Sequence, residues 1–175
     1  MSTGRQETGV LDSYRMTFDG AVLRRGFWLY VWKIKQEDDV YVYIGRTGDS
    51  SSPNASSPFV RISQHLDFRP NAKANSMGKH LCHRRIRPDA CSFEMLAIGP
   101  LFREARDMGS HRPRRDKVGA AEKVLAQLIR ERGYCVLGRH SSRTEPSRTI
   151  VRRIEALVDA EFPPRASRPA MSNER

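Results

Sequence analysis

Two apolar, β-prone runs, Phe27 to Trp32 and Val40 to Gly45, stand on either side of the polar break Lys35 to Asp39. Short runs of this kind joined by such a break predict a hairpin. An even number of loop residues puts Tyr30 and Tyr43 on one face of it, opposite each other or one step diagonal, with both phenols looking outward. After the Ser-, Pro- and Asn-containing stretch 49–57 the pattern predicts a helix, with Ser57 suited to cap it and Pro58 to open it. Phe59, Ile62 and Leu66 form its apolar, buried stripe, and Arg61 and His65, four apart, share the other face.

A second helix, capped by Asn75 or Ser76, is expected to run to Ile86 and stop before Pro88, with Met77, Leu81 and Ile86 inward. Cys91 to Ile98 reads as a third strand ended by Gly99-Pro100, and residues 99–116 as a basic loop with a helical turn at Phe102 to Met108. The strongest helical period is Asp116 to Arg132, with Val118, Ala121, Leu125, Leu128 and Ile129 on the core side and Gly133 as a stop. Tyr134 to Leu137 is a short extended segment. Ile150, Val151, Ile154, Leu157 and Val158 make an amphipathic C-terminal helix, with Arg148, Arg152 and Arg153 on its polar side.

These elements predict an α/β fold: a small three-stranded antiparallel sheet flanked by helices, with an extra C-terminal helix. The chain divides into an N-terminal extension (1–25), a core domain (26–140), the C-terminal helix (141–162) and a Pro-rich tail (163–175) expected to be disordered. For the extension, a short helix or strand on the domain edge is expected.

Charge changes the picture. Of the 175 residues 31 are Lys or Arg and 20 are Asp or Glu, a formal net charge of +11. Neutralising a phosphate releases condensed counterions, so such an excess favours a polyanion, and nucleic acid is the expected partner. Lys79, Arg84, Arg85 and Arg87 form a run with no acid between 76 and 88 and are the candidate nucleic-acid contacts. Three cysteines and a polar N-terminus with no apolar core of a signal peptide point to the reducing cytoplasm. No apolar run approaches the roughly 20 residues of a membrane span. His80, Cys82, His83 and Cys91 lack the paired spacings of a zinc site.

In order, Trp28-Leu29-Tyr30, Tyr43-Ile44-Gly45, Arg46-Thr47-Gly48, Arg61 with His65, and Glu122 make a set that resembles the GIY-YIG nuclease family. The first tripeptide keeps only its tyrosine, the loop before Arg61 is longer than usual, and Gly138 stands where the family commonly has an asparagine. The resemblance implies metal-dependent hydrolysis of a DNA phosphodiester, the DNA being double-stranded. Tyr30 and Tyr43 would flank the scissile phosphate and help position or deprotonate the water, with a nearby metal or arginine lowering the phenol pKa. Arg61 would contact non-bridging oxygens, Arg46 would lie near the phosphate, and His65 would hold a tyrosine or the water. Glu122 would carry Mg2+ or Mn2+, because one carboxylate suffices when water and substrate phosphate complete the shell. A single active site cuts both strands only by nicking twice or as a homodimer. The rival expectation is a nucleic-acid-binding protein that keeps the fold without catalysis.

Overall fold

The computed structural model describes residues 13–49, 52–69, 71–72 and 75–165. Their order is a 3-10 turn Gly20–Leu23, β1 Phe27–Gln36, β2 Asp39–Arg46, α1 Pro58–His65, α2 Ser76–His83, a 3-10 turn Pro88–Ala90, β3 Ser92–Phe102, α3 Met108–Glu131, β4 Cys135–Leu137 and α4 Arg148–Glu161.

The hairpin forms, closed by Glu37 and Asp38, with Glu37 at φ 54 in the left-handed region. Tyr30 lies opposite Gly45, and Trp32 opposite Tyr43, so the two tyrosines are diagonal neighbours on one face. The sheet has four strands in the order β3-β1-β2-β4. β3 pairs antiparallel with β1, but β4 runs parallel to β2, which corrects the expected three-stranded antiparallel sheet. A three-residue strand carries too little periodicity to announce itself, and its pairing is fixed by α3, which returns the chain to the β2 edge.

β1 is central and covered on both faces, which is why its run is apolar without alternation. Phe27, Leu29 and Val31 pack with Val42 and Ile44 against Val118, Leu125 and Ile129 of α3 and Ile154 and Val158 of α4. Tyr30, Trp32 and Ile34 pack with Tyr43 against Met77 and Leu81 of α2, with Ile62 of α1 and Leu66 just after it at the margin. The phenols therefore do not look out into solvent: α1 and α2 cover them, and Tyr30 is 1% exposed and Tyr43 8%.

Several boundaries move. Ser57 caps α1, accepting from Val60 N, but its buried residues are Pro58 and His65, while Phe59 turns outward against Phe18 at 4.9 Å between ring centres. Burying His65 wins because Tyr30 gives it a partner. Asn75 caps α2, accepting from Gly78 N at 2.6 Å. That helix ends at His83, before the expected Ile86: Arg85 takes φ 58, and this reversal lets Ile86 bury separately. β3 continues past Gly99-Pro100 to Phe102, because Gly99 at φ 144 bends the chain over Trp28 and a register shift restores pairing at Phe27. α3 begins at Met108, inside the expected basic loop, so Glu122 sits in the second half of a 24-residue helix and not in its first turns. Pro113 removes one helical hydrogen bond. That loss is outweighed by the Asp107 cap on Ser110 N and by buried His111, which anchors the first turns.

The extension contributes the 3-10 turn, which lies beside α1, while Tyr14 and Met16 are exposed. Its residues 1–12 lie outside the described residues, as do 166–175 of the tail. Arg165 is described: its N–H donates to Arg132 O at 2.9 Å and its guanidinium stacks over Tyr134. Among the described residues no helix is long and apolar enough to cross a membrane, and the three cysteines are free.

Candidate functional site

The end of β2, the start of α1 and the first residue of α2 surround a cleft of about 360 Å³, lined by Arg46, Asp49, Ser56, Arg61, Gln64 and Ser76 among others. β2 delivers Arg46 where the hairpin ends, and the Ser57 cap fixes the start of α1 so that Arg61, one turn in, faces the sheet.

Arg61 Nε donates to Tyr30 Oη at 3.2 Å, so the phenol's own proton is directed to His65 Nε2, 2.8 Å away. This sets the neutral imidazole with its proton on Nδ1, which among the described residues is buried without a partner. Arg61 also donates from Nη1 to Gln64 Oε1 at 2.5 Å, and its Nη2 lies 3.5 Å from His65 Nε2. Burial, helped by the Arg61 charge, pushes the His65 pKa down to about 4, so it is neutral at physiological pH.

Tyr43 packs its ring 5.0 Å from the ring of His65 and 6.1 Å from that of His80. Burial raises the pKa of both tyrosines above the ordinary phenol range, and Arg61 opposes this without overcoming it. A phenol acidified by a neighbouring arginine was expected. Here desolvation wins, because a phenolate under two helices loses more hydration than one partly engaged guanidinium returns.

On the α3 side Arg46 Nη1 pairs with Glu122 Oε2 at 3.0 Å, and its Nη2 with Asp49 Oδ1 at 2.9 Å. Burial would lower the Arg46 pKa, but the two carboxylates outweigh it and hold it above the usual value. Burial pushes the Glu122 carboxyl up to about 7, Arg46 opposing and Asp49 reinforcing the rise.

Two glycines make room for this. A Cβ at Gly45 would stand 2.5 Å from Tyr30 Oη, and one at Gly119 would stand 2.1 Å from Arg46 Nη1. A third, Gly138 at φ 82, has His80 Nε2 3.0 Å from where its Cβ would be, so a histidine fills the space a side chain at 138 would enter.

Tyr30, Arg61 and His65 are thus joined directly, Tyr43 meets the His65 ring edge-on, and Arg46 with Glu122 forms a second pair beside them. Lys79, Arg84, Arg85 and Arg87 are exposed, Arg87 in an ion pair with Asp89. Arg84 acts on Tyr41, whose partly buried ring does not join the site, and Tyr41 is five residues before Arg46 on β2, roughly 17 Å away at strand rise. Arg84 therefore lies toward the far end of β2, whereas Lys79 is one helical turn along α2 from Ser76, which lines the cleft. Gln64 and Ser76 were missed. Gln64 was legible as an i, i+3 neighbour of Arg61, but Ser76 reaches the cleft only through the packing of α2.

Among the described residues no three His, Cys, Asp or Glu side chains gather closely enough to hold a metal ion. Glu122 is still a fitting ligand of the single-carboxylate kind: it is 16% exposed and already balances a cation.

Comparisons of the chain with protein-family models, with curated proteins and with solved structures return no match.

Proposed function

We propose that the protein is a metal-dependent DNA endonuclease of the GIY-YIG type, hydrolysing phosphodiester bonds in the cytoplasm. The observation that carries this is the direct Arg61–Tyr30–His65 hydrogen-bonded chain beside a cleft lined by Arg61 and Arg46, with Glu122 held behind the cleft wall by its ion pair to Arg46. Five polar groups from β1, β2, α1 and α3 are linked through Arg61 and Arg46 at the cleft, which core packing alone does not require.

In this reading a phosphate enters between Arg61 and Arg46, and the guanidiniums take up charge on its non-bridging oxygens. Tyr30 Oη accepts a proton from the attacking water while its own proton moves to His65 Nε2, so no free phenolate is needed. Burial and, to a lesser degree, the Arg61 charge hold the imidazole pKa down; the incoming anion offsets the Arg61 part, making His65 a better acceptor when substrate is bound. Gln64 holds the Arg61 fork in place, and Tyr43 closes the site against bulk water. Mg2+ or Mn2+ on Glu122, completed by water and phosphate oxygens, would supply the positive charge that stabilises the leaving oxygen.

A plasmid-nicking assay with Mg2+, with Mn2+ and with excess chelator tests the reading. Metal-dependent nicking by the parent, lost in Arg61→Ala, is expected. The second reading, a nucleic-acid-binding protein without catalysis, is favoured by the near-complete burial of Tyr30, 1% exposed. Salt-dependent DNA binding with no nicking under any metal would decide for it.

A further inference from the structure

The first turns of α3 and the residues before it form a spur, most of which was expected to be a basic loop with one helical turn, and the proposed chemistry uses none of it. Its sequence from Arg103 to Lys117 carries six cations, Arg103, Arg106, Arg112, Arg114, Arg115 and Lys117, against Glu104, Asp107 and Asp116. The spur is docked on the rim of the cleft. His111 is fully buried, with Nε2 2.9 Å from Gly48 O and Nδ1 3.0 Å from Pro53 O, and Gly48 lines the cleft. Arg114 is tied down as well, donating from Nη1 to Arg103 O and Glu104 O.

Helical spacing then fixes where the remaining cations point. Arg112, Arg115, Gly119 and Glu122 follow one another at intervals of three and four, so they form one stripe along α3. At Gly119 that stripe passes beneath the Arg46 guanidinium. Arg112 and Arg115 therefore extend the row of positive charge from the cleft along the helix. From Arg112 to Gly119 the rise is about 10 Å, the length of about three base-pair steps on one strand. Arg112 and Arg106 are exposed, and among the described residues neither makes an ion pair; Arg115 makes one exposed pair with neighbouring Asp116.

We infer that this spur is a backbone-contact surface for a nucleic-acid strand, with Arg106, Arg112 and Arg115 taking the phosphates just outside the cleft. The inference rests on the nuclease reading and adds to it the path by which the strand leaves the site. A phosphate backbone fits because Arg112, exposed, and Arg115, half-buried, lie on one line along α3 that continues to the cleft, with exposed Arg106 just before the helix. The remote Arg84 and Arg85 do not lie on that line.

The test compares Arg112→Ala/Arg115→Ala with Arg84→Ala/Arg85→Ala and the parent, titrating a fluorescent 30-base-pair duplex in chelator over a range of salt. The spur variant is expected to bind about tenfold or more weakly at low salt. The magnitude of its log-log salt slope should fall by about two, since each phosphate contact contributes about 0.9. Arg112→Lys/Arg115→Lys should keep most of the binding. Hydrolysis of thymidine 5′-(p-nitrophenyl phosphate), too short to reach the spur, should keep the parental rate in the alanine pair. If the parent binds duplex with a clear salt slope and the alanine pair matches it, the spur inference is overturned and the nuclease reading stands. If the parent itself shows no salt-dependent binding, the nuclease reading fails and takes the inference with it. Equal competition by poly-glutamate and by DNA would assign the spur to acidic polypeptide and overturn it too.

Discussion

Tyr30 Oη and His65 Nε2 lie 2.8 Å apart in the buried layer between β1 and α1, although the residues are 35 positions apart in the chain. This one bond makes the tyrosine both a reacting group and a structural one. Tyr30→Phe leaves the buried imidazole with only the long 3.5 Å contact from Arg61 Nη2 to Nε2 and nothing at Nδ1, so a stability loss of about 1–3 kcal/mol is expected alongside the loss of cleavage. Urea denaturation reads the first effect and plasmid nicking the second. An unchanged unfolding midpoint would show that His65 does not depend on the phenol.

Glu122→Gln keeps size and helix propensity while deleting the charge. It should abolish Mg2+- or Mn2+-supported cleavage and leave duplex binding intact or slightly tighter, with one less repulsion of phosphate. A variant that cuts as well as the parent would remove Glu122 from the metal role.

His65 and Glu122 also have opposite pH dependences. The His65 pKa is depressed in the fold from 6.5 to about 4, so its contribution to stability is present above pH 6.5 and is lost as pH falls toward 4. That of Glu122 is raised from 4.5 to about 7, so its contribution is present below pH 4.5 and is lost as pH rises through 7. Each is worth about 3 kcal/mol across its window, and in the parent the two offset each other. Glu122→Gln should therefore lose stability steeply from pH 7 to 5, and His65→Gln should gain it. Thermal melts at the two pH values check this, and parallel profiles for the two variants would sink it.

The two glycines under the site should separate fold from activity. Gly45→Ala drives a Cβ into the Tyr30 ring, held rigidly in the core, and should cost about 1–3 kcal/mol as well as activity. Gly119→Ala meets only the flexible end of Arg46 and removes a glycine from a helix interior. It should leave stability nearly unchanged or slightly raised while displacing Arg46 from Glu122, so nicking falls without a fall in melting temperature. Equal loss of stability in both variants would contradict this packing.

The sequence alone determined those features that local chemistry dictates. The hairpin, the shared face of Tyr30 and Tyr43, the Ser57 cap and the apolar faces of α3 and α4 follow from period, turn length and capping groups, and all lie within a few residues of their cause. The diagonal register of the tyrosines and the choice of Asn75 over Ser76 as cap came with the structure. Tertiary structure decided what covers each face and what enters each space. Period two sets both phenols on one side of the hairpin, but only the docking of α1 and α2 buries them and raises their pKa values. The long spur of α3 survives Pro113 because Asp107 and His111 supply compensating contacts, the second from across the cleft loop. The Arg46–Glu122 pair exists because Gly119, between them in sequence, has no side chain to keep the guanidinium away. Such contacts join residues tens of positions apart, and their free energy comes from burial and partners that no local pattern carries.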